Sequence, residues 1–268
     1  MARKQNRAQE REEQEEPREL TAREQAQEIA WQAADHYGPE PDKATVAELC
    51  RQALAIYPDC VDALRMLADV EAFWVRDYVV GLRKAIEAGR RELGEEFFRE
   101  HKGQFWLMME TRPFMRALGA LAEVLGANEY WQAEAIAVHR ELLELNPRDH
   151  QGIRYGLIGC YLTTKKYWEA ERLRERYPGD DATFFLWAEV LLRFATDGEE
   201  AAAKALRKAR KANRHVEKYF FPRKPRPNYR IGYYTPGDES EAISCAMLLT
   251  NAWKAHSPAR KWLQRVCT

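Results

Sequence analysis

The chain has 268 residues, of which 46% are hydrophobic and 31% charged, a composition that excludes intrinsic disorder and suits a large buried core. Its 42 basic and 42 acidic residues cancel, which excludes a net field that would draw the whole molecule to nucleic acid or to an anionic membrane. Any such attraction must be local.

The cysteines and the composition of the N-terminus indicate the cellular compartment. The five cysteines form no CxxC pair, and their odd number favours reduced thiols in a cytosol. The Glu-rich N-terminus lacks the apolar segment of a signal peptide. The longest uncharged runs, 155–164 and 243–253, have about ten residues, whereas a helix needs roughly 18–20 to cross a bilayer. The sequence therefore predicts a cytoplasmic protein with no membrane segment.

The first elements follow a charged segment. Residues 1–20 mix charges with few apolar side chains, and we expect a flexible charged arm there. Thr21 then precedes Glu24 by three residues, the pattern of a capping box. This pattern predicts a helix that runs to about Tyr37, where Gly-Pro-Glu-Pro would stop it.

A recurring proline divides the centre of the chain. Pro58, Pro147 and Pro178 each follow a helical pattern, and an Asp one or two residues later is placed to cap the next helix. The spacing resembles the tetratricopeptide repeat, an antiparallel helix pair of about 34 residues. It predicts an all-α fold, a tetratricopeptide-like superhelix over 21–216, because such pairs bury their apolar faces only by stacking. After the first pair, which ends at Pro58, the predicted helices cover 60–74 with 77–93, 112–126 with 130–145, 149–162 with 167–177, and 182–195 with 199–213.

Two segments depart from the repeat. Pro58 and Pro147 lie too far apart for two units, so we expect an insertion near 94–111. We expect its apolar run GQFWLMM to be buried, with an exposed patch for a partner helix as the alternative. Residues 217–268 are predicted to form a Pro/Tyr-rich linker, with PRKPRP at 222–227, followed by helices that cap the open end of the array.

Three stretches together resemble one known family. They are GQFWLMMETRPFMRAL at 103–118, LLELNPRDHQGIRYGL at 142–157, and YYTPGDESEAI at 233–243 with Ala-Trp following at 252–253. The combination is similar to the suppressor of tumorigenicity 7 family and its bacterial tetratricopeptide-like relatives. The resemblance implies an adaptor scaffold and no particular activity.

The candidate binding surface comprises Glu110, Arg112, Arg116, Gln151, Arg154 and Tyr161. Two arginines four residues apart on one helix repel each other unless an anion lies near them. Arginines on two helices that face one groove can bind a carboxylate or a phosphate through paired hydrogen bonds. Glycines at 152, 156 and 159 form a stripe that indicates close approach of a neighbouring helix. The alternative is an internal salt-bridge network, with Glu110 and Asp149 as its anions.

Other functions find less support. The segment 204–230 carries eleven Lys or Arg and one acidic residue, and it is an alternative site for RNA or another polyanion. The six histidines lie apart, and no metal-ligand spacing or glycine-rich phosphate loop occurs. We therefore predict no cofactor and no metal, with an enzyme of unknown class as a second alternative.

We expect a non-catalytic interaction module. It would bind a peptide or an acidic protein segment in a concave groove, through arginine side chains and aromatic side walls. The sequence indicates neither the identity of the partner nor the oligomeric state.

Overall fold

The computed structural model describes residues 18–38, 40–221 and 234–266. These ranges hold thirteen α-helices, one 3-10 helix and no strand, so the all-α prediction is confirmed for them. Most of the predicted charged arm, the PRKPRP stretch and the tyrosines at 229 and 233 lie outside the described residues. In the part of the chain that the structure describes, no helix is both long and apolar enough to cross a bilayer.

The helices are, in chain order, α1 (Ala22–Asp35), α2 (Lys43–Ile56), α3 (Val61–Glu71), α4 (Val75–Glu100), α5 (Arg112–Ala127), α6 (Gln132–Leu145), α7 (Ile153–Thr163), α8 (Tyr167–Arg176), α9 (Thr183–Asp197), α10 (Glu199–Ala212), α11 (Glu217–Phe220), α12 (Glu239–Ala255) and α13 (Ser257–Val266).

Side-chain caps begin several of these helices. Thr21 and Glu24 form the predicted capping box at the start of α1. The Asp149 carboxylate accepts two backbone amide hydrogen bonds at the start of α7, and the Asp238 carboxylate does the same at the start of α12. Because these amides have no partner within their own helix, each cap satisfies donors that would otherwise be left to water.

The first ten helices pack in a repeating order. Each odd-numbered helix contacts the helix that follows it, giving the pairs α1–α2, α3–α4, α5–α6, α7–α8 and α9–α10. Each first helix also contacts the first helix of the next pair, and each second helix contacts the next first helix. The five predicted pairs are therefore all present, and they join through their first helices.

The predicted insertion is largely helical. The sequence analysis ends the second helix of pair two near residue 93, whereas α4 continues through a break at Gly94 (φ 75°) to Glu100. A 3-10 turn at Phe105–Leu107 follows, and the Thr111 hydroxyl donates hydrogen bonds to backbone carbonyls within this segment. Phe105 is fully buried as expected, but Leu107 and Met109 are mostly exposed. Only part of the apolar run is therefore buried.

Two hydrophobic clusters form the core. The smaller one joins α1, α2 and α3 through short side chains, with Met66 its largest member, and the larger one extends from α3 to α13. Trp187, Trp253, Phe114 and Phe185 are among the largest fully buried side chains, and all four belong to the larger cluster. The buried side chains are thus larger in the later pairs than in the first.

The C-terminal helices pack differently from the expected cap. α13 contacts α9 of the last pair, as a cap would. α12, however, contacts α5, α7 and α9, the first helices of three successive pairs. Its side chains meet this face closely, since the Asn251 amide donates to the Ala127 carbonyl (2.9 Å) and the Cys245 thiol donates to the Thr183 carbonyl (3.9 Å). α12 therefore lies along the array instead of closing its end alone.

Candidate functional site

The six predicted site residues do not form a single site. Arg116, on α5, donates from Nε to one oxygen of Asp62 on α3 (3.0 Å) and from a terminal nitrogen to the other oxygen. Asp62 is nearly buried and also accepts a hydrogen bond from Gln27 of α1 (3.1 Å). The paired donors that an external carboxylate would need on Arg116 are therefore used by an internal one.

Arg154 is held in the same way by two aspartates. Its Nε donates to Asp180 (2.7 Å), and a terminal nitrogen donates to Asp149 (2.8 Å), whose carboxylate is fully buried. Tyr155 and Tyr177 lie against its guanidinium, with ring centroids 4.3 and 5.1 Å from Cζ. Burial lowers the pKa of Arg154, but the hydrogen bonds to both aspartates outweigh burial and raise that pKa overall. The geometry favours the internal network for this arginine too.

The remaining members of the set lie apart from these pairs. Arg112 donates to the Trp106 carbonyl (3.3 Å) and stacks on its ring, and Gln151 donates to the Met115 carbonyl (3.3 Å). Glu110 is exposed and makes no ion pair with any described residue. The anions of the network are thus the aspartates at 62, 149 and 180. Glu110, which the sequence analysis names as an anion, is not among them.

Tyr161 faces a separate pocket. Its buried hydroxyl accepts a hydrogen bond from Nε of Arg140 (2.8 Å) beside a cavity of about 380 Å³. Arg172 and Arg176 of α8 and the exposed ring of Trp168 also line it. The sequence analysis missed these arginines, although their spacing of four residues is the signal that singled out positions 112 and 116.

Two of the three glycines in the predicted stripe lie against a neighbouring helix, as the sequence predicts. A Cβ on Gly159 would lie 2.6 Å from the Leu248 carbonyl oxygen of α12, and one on Gly156 would overlap the His139 ring of α6. Any other residue at Gly159 would push α12 away, and any other residue at Gly156 would displace the His139 ring. Gly152 differs, because it adopts a left-handed conformation (φ 70°) just before α7 begins.

An aromatic cleft lies between the second and third pairs, at the turns that join their helices. Trp74, Tyr130 and Trp131 line a cavity of about 570 Å³ together with Arg76. The exposed fraction is 68% for Trp74, 82% for its neighbour Phe73 and 85% for Tyr130. We refer to Trp74, Tyr130 and Trp131, together with Phe73, which packs edge-on against Trp74 (ring centroids 4.9 Å apart), as the aromatic cleft. Sequence reasoning missed it, although an aromatic dipeptide stands in both turns, at 73–74 and 130–131.

The basic segment is partly neutralised within the described residues. Lys208 pairs with Asp181 (2.6 Å), Arg210 pairs with Glu217 (2.7 Å), and Lys218 pairs with Glu239 at 2.5 Å. Its remainder, 222–230, lies outside the described residues. Surface cations that already have acidic partners attract a polyanion less strongly.

Groups suited to catalysis are scarce in the described ranges. No cluster of three metal-ligating side chains occurs there. His139 and Cys160 both border one cavity, but burial lowers the pKa of His139 to about 4 and raises that of Cys160 to about 12. At neutral pH the imidazole and the thiol are both uncharged. A thiolate nucleophile is therefore not formed there.

Comparison with known proteins assigns the chain to no family. No protein-family model matches the chain, and no curated protein matches it. The resemblance to the suppressor of tumorigenicity 7 family stays a prediction.

Proposed function

We propose that this protein is a non-catalytic interaction module, a tetratricopeptide-like superhelix that binds an acidic segment of a partner protein. The observation that carries the proposal is the aromatic cleft, where Phe73, Trp74 and Tyr130 are all more than two-thirds exposed. Contiguous exposed apolar surface is costly in water and is a common feature of interaction sites. Large aromatic side chains also dominate the energetics of such sites.

The packing of α12 supports the same proposal. This helix covers the first helices of pairs three, four and five, so the chain itself binds a helical segment on that face. No described helix lies in the same way across α1 and α3. The proposed partner therefore binds at the junction of pairs two and three, where the aromatic cleft lies.

The charged residues that line the cleft indicate the charge of the partner segment. Arg76 and Asp77 are the charged residues that line it. The Asp77 carboxylate accepts a hydrogen bond from the Trp74 amide (3.0 Å) and caps α4, whereas Arg76 is exposed and has no ion-pair partner among the described residues. A segment with an apolar side chain for the cleft and an acidic residue beside it complements both features.

A cytoplasmic location and the absence of catalysis belong to the same proposal. The four cysteines in the described ranges are free and buried, as is common in reducing compartments.

Peptide display on the immobilised full chain tests the proposal. We expect a random peptide library to yield sequences with an aromatic or large aliphatic residue next to Asp or Glu. Trp74→Ala should abolish this enrichment, because it removes one wall of the cleft. Arg76→Glu should change the selected charge from acidic to basic.

Trp168→Ala is the matched control, because Trp168 is 71% exposed and lies on α8, away from the cleft. Its selected peptides should match those of the unmodified chain. Absence of enrichment on the unmodified chain would refute the proposal. So would identical selections on the Trp74→Ala and Trp168→Ala variants.

A further inference from the structure

We infer that the cavity between α12 and the array binds a small, mostly apolar, uncharged molecule that carries one N–H or O–H donor, with Nε2 of His139 as the acceptor. The cavity has a volume of about 280 Å³ and is lined by residues of α5, α6, α7 and α12. It shares no lining residue with the aromatic cleft. The inference is independent of the proposed function.

His139 is the polar group that defines the ligand. Its side chain is 4% exposed, and Nδ1 lies 2.7 Å from the carbonyl oxygen of Ala135. Since a carbonyl oxygen only accepts, Nδ1 carries the proton and Nε2 carries the lone pair. No described residue donates a hydrogen bond to Nε2. Nε2 can therefore accept a hydrogen bond from a ligand in the cavity that His139 lines.

Burial keeps the imidazole in this state. The pKa of His139 is lowered to about 4 because the charged form loses its hydration inside the protein. The ring is therefore an uncharged acceptor at neutral pH, which favours a neutral donor over an anion. Cys160, on the same cavity, is an uncharged thiol. An uncharged ligand meets no unfavourable charge at either side chain.

Two glycines lie close to the ring. Gly156 faces Nε2, where a Cβ would overlap the imidazole. At Gly126 a Cβ would lie 3.4 Å from Sγ of Cys160 and 3.5 Å from Cε1 of His139. The first position is required for packing, whereas the second tolerates a methyl group that would occupy part of the cavity.

The rest of the wall is mostly apolar, and its two charged residues, Glu123 and Lys254, are both exposed to solvent. Met247 and Leu248 contribute apolar surface from α12, and the Asn251 amide that borders the cavity is used on the Ala127 carbonyl (2.9 Å). A flat molecule of about nine heavy atoms suits a cavity of this size and lining. Indole has one N–H donor, and indene has nearly the same shape with no donor.

Titration calorimetry of the full chain with indole and with indene tests the inference. We expect saturable binding of indole, at least tenfold tighter than that of indene. The imidazole ¹⁵N resonance of Nε2 should shift on addition of indole, because the lone pair then accepts a hydrogen bond. The same shift should not occur with indene.

Gly126→Ala should weaken indole binding at least tenfold, since the added methyl group enters the cavity. Gly119→Ala is the matched control: it adds the same methyl group to the same helix, 3.5 Å from the Gln151 amide nitrogen and away from the cavity. Equal affinity for indole and indene would overturn the assignment of His139 as the acceptor. No saturable binding, or unchanged affinity in Gly126→Ala, would overturn the site itself.

Discussion

The two halves of the array share a helix-pair design but bury different side chains. The first half, pairs one and two, packs largely through alanines such as Ala30 and Ala53, and it leaves Phe73 and Trp74 exposed. The second half buries tryptophan and phenylalanine, and α12 covers its first helices. A stack of helix pairs can therefore be covered by a helix of its own chain or leave its surface open to a partner. In this protein, α12 covers the second half.

The difference in bulk has an energetic consequence. A buried aromatic side chain removes about 150–250 Å² from water, several times more than an alanine. Stability in stacked repeats is approximately a sum over units and their interfaces. We therefore expect the second half to unfold at higher denaturant concentration than the first.

The largest expected effect comes from Trp253→Ala on α12. Trp253 is 2% exposed and packs on Phe220 with ring centroids 5.1 Å apart. Its truncation should cost about 3–5 kcal/mol of unfolding free energy, measured by urea denaturation. Hydrogen exchange should also accelerate throughout α12. If the amides of α12 stay as protected as before, the helix does not depend on this contact. The proposed difference between the two halves would then be wrong.

A second large effect is expected from Arg154→Ala. It leaves the carboxylates of Asp149 and Asp180 without their guanidinium partner, at a cost of about 3 kcal/mol. Peptide selection by the aromatic cleft should be unchanged, because Arg154 acts inside the second half. Loss of peptide binding at unchanged stability would show instead that this arginine meets the ligand. Arg148→Ala, at an exposed position nearby, is the control and should leave stability unchanged.

The pH dependence of stability tests the buried imidazole of the second half. The pKa of His139 is about 4 in the folded chain and 6.5 in an unfolded one, so the unfolded chain binds the extra proton between these values. Stability should therefore fall as pH falls, by about 2 kcal/mol between pH 6.5 and 5 from this group. His139→Gln should reduce that slope in urea unfolding series, whereas replacement of the exposed His150 should not. An equal slope in the His139→Gln variant would contradict the assignment.

The smallest effect is expected at the cleft. Phe73→Ala should change the unfolding free energy by less than about 0.5 kcal/mol, because the side chain is 82% exposed. It should still weaken the binding of selected peptides. A loss of stability of more than 2 kcal/mol would mean that the ring is part of the core, and the contrast between the halves would then be less sharp.

Local sequence signals predicted much of the fold. Prolines at 58, 147 and 178 cannot continue a helix, so the boundaries of the pairs follow from backbone chemistry. Asp149 and Asp180 accept amide hydrogen bonds near helix starts, as such residues are expected to do. Asp59 instead pairs with Arg91 of α4 (2.7 Å), a partner that no local rule identifies.

The candidate site was predicted less well, because its contacts are distant in sequence. Arg116 and Asp62 stand 54 positions apart, and nothing in either helix specifies their pairing. The position of α12 on three first helices likewise depends on the shape of the whole array. Spacing within one helix predicted an anion near Arg112 and Arg116, but it did not identify Asp62, which pairs with Arg116 and not with Arg112.

Hydrogen exchange of the full chain, with and without a selected acidic peptide, tests the central claim most directly. We predict added protection at 72–80 and 128–134, around the aromatic cleft, with no change along α12. Protection along α12 and α7, or faster exchange of α12 as it leaves the array, would contradict the account. Either result would mean that the partner competes for the face that α12 covers.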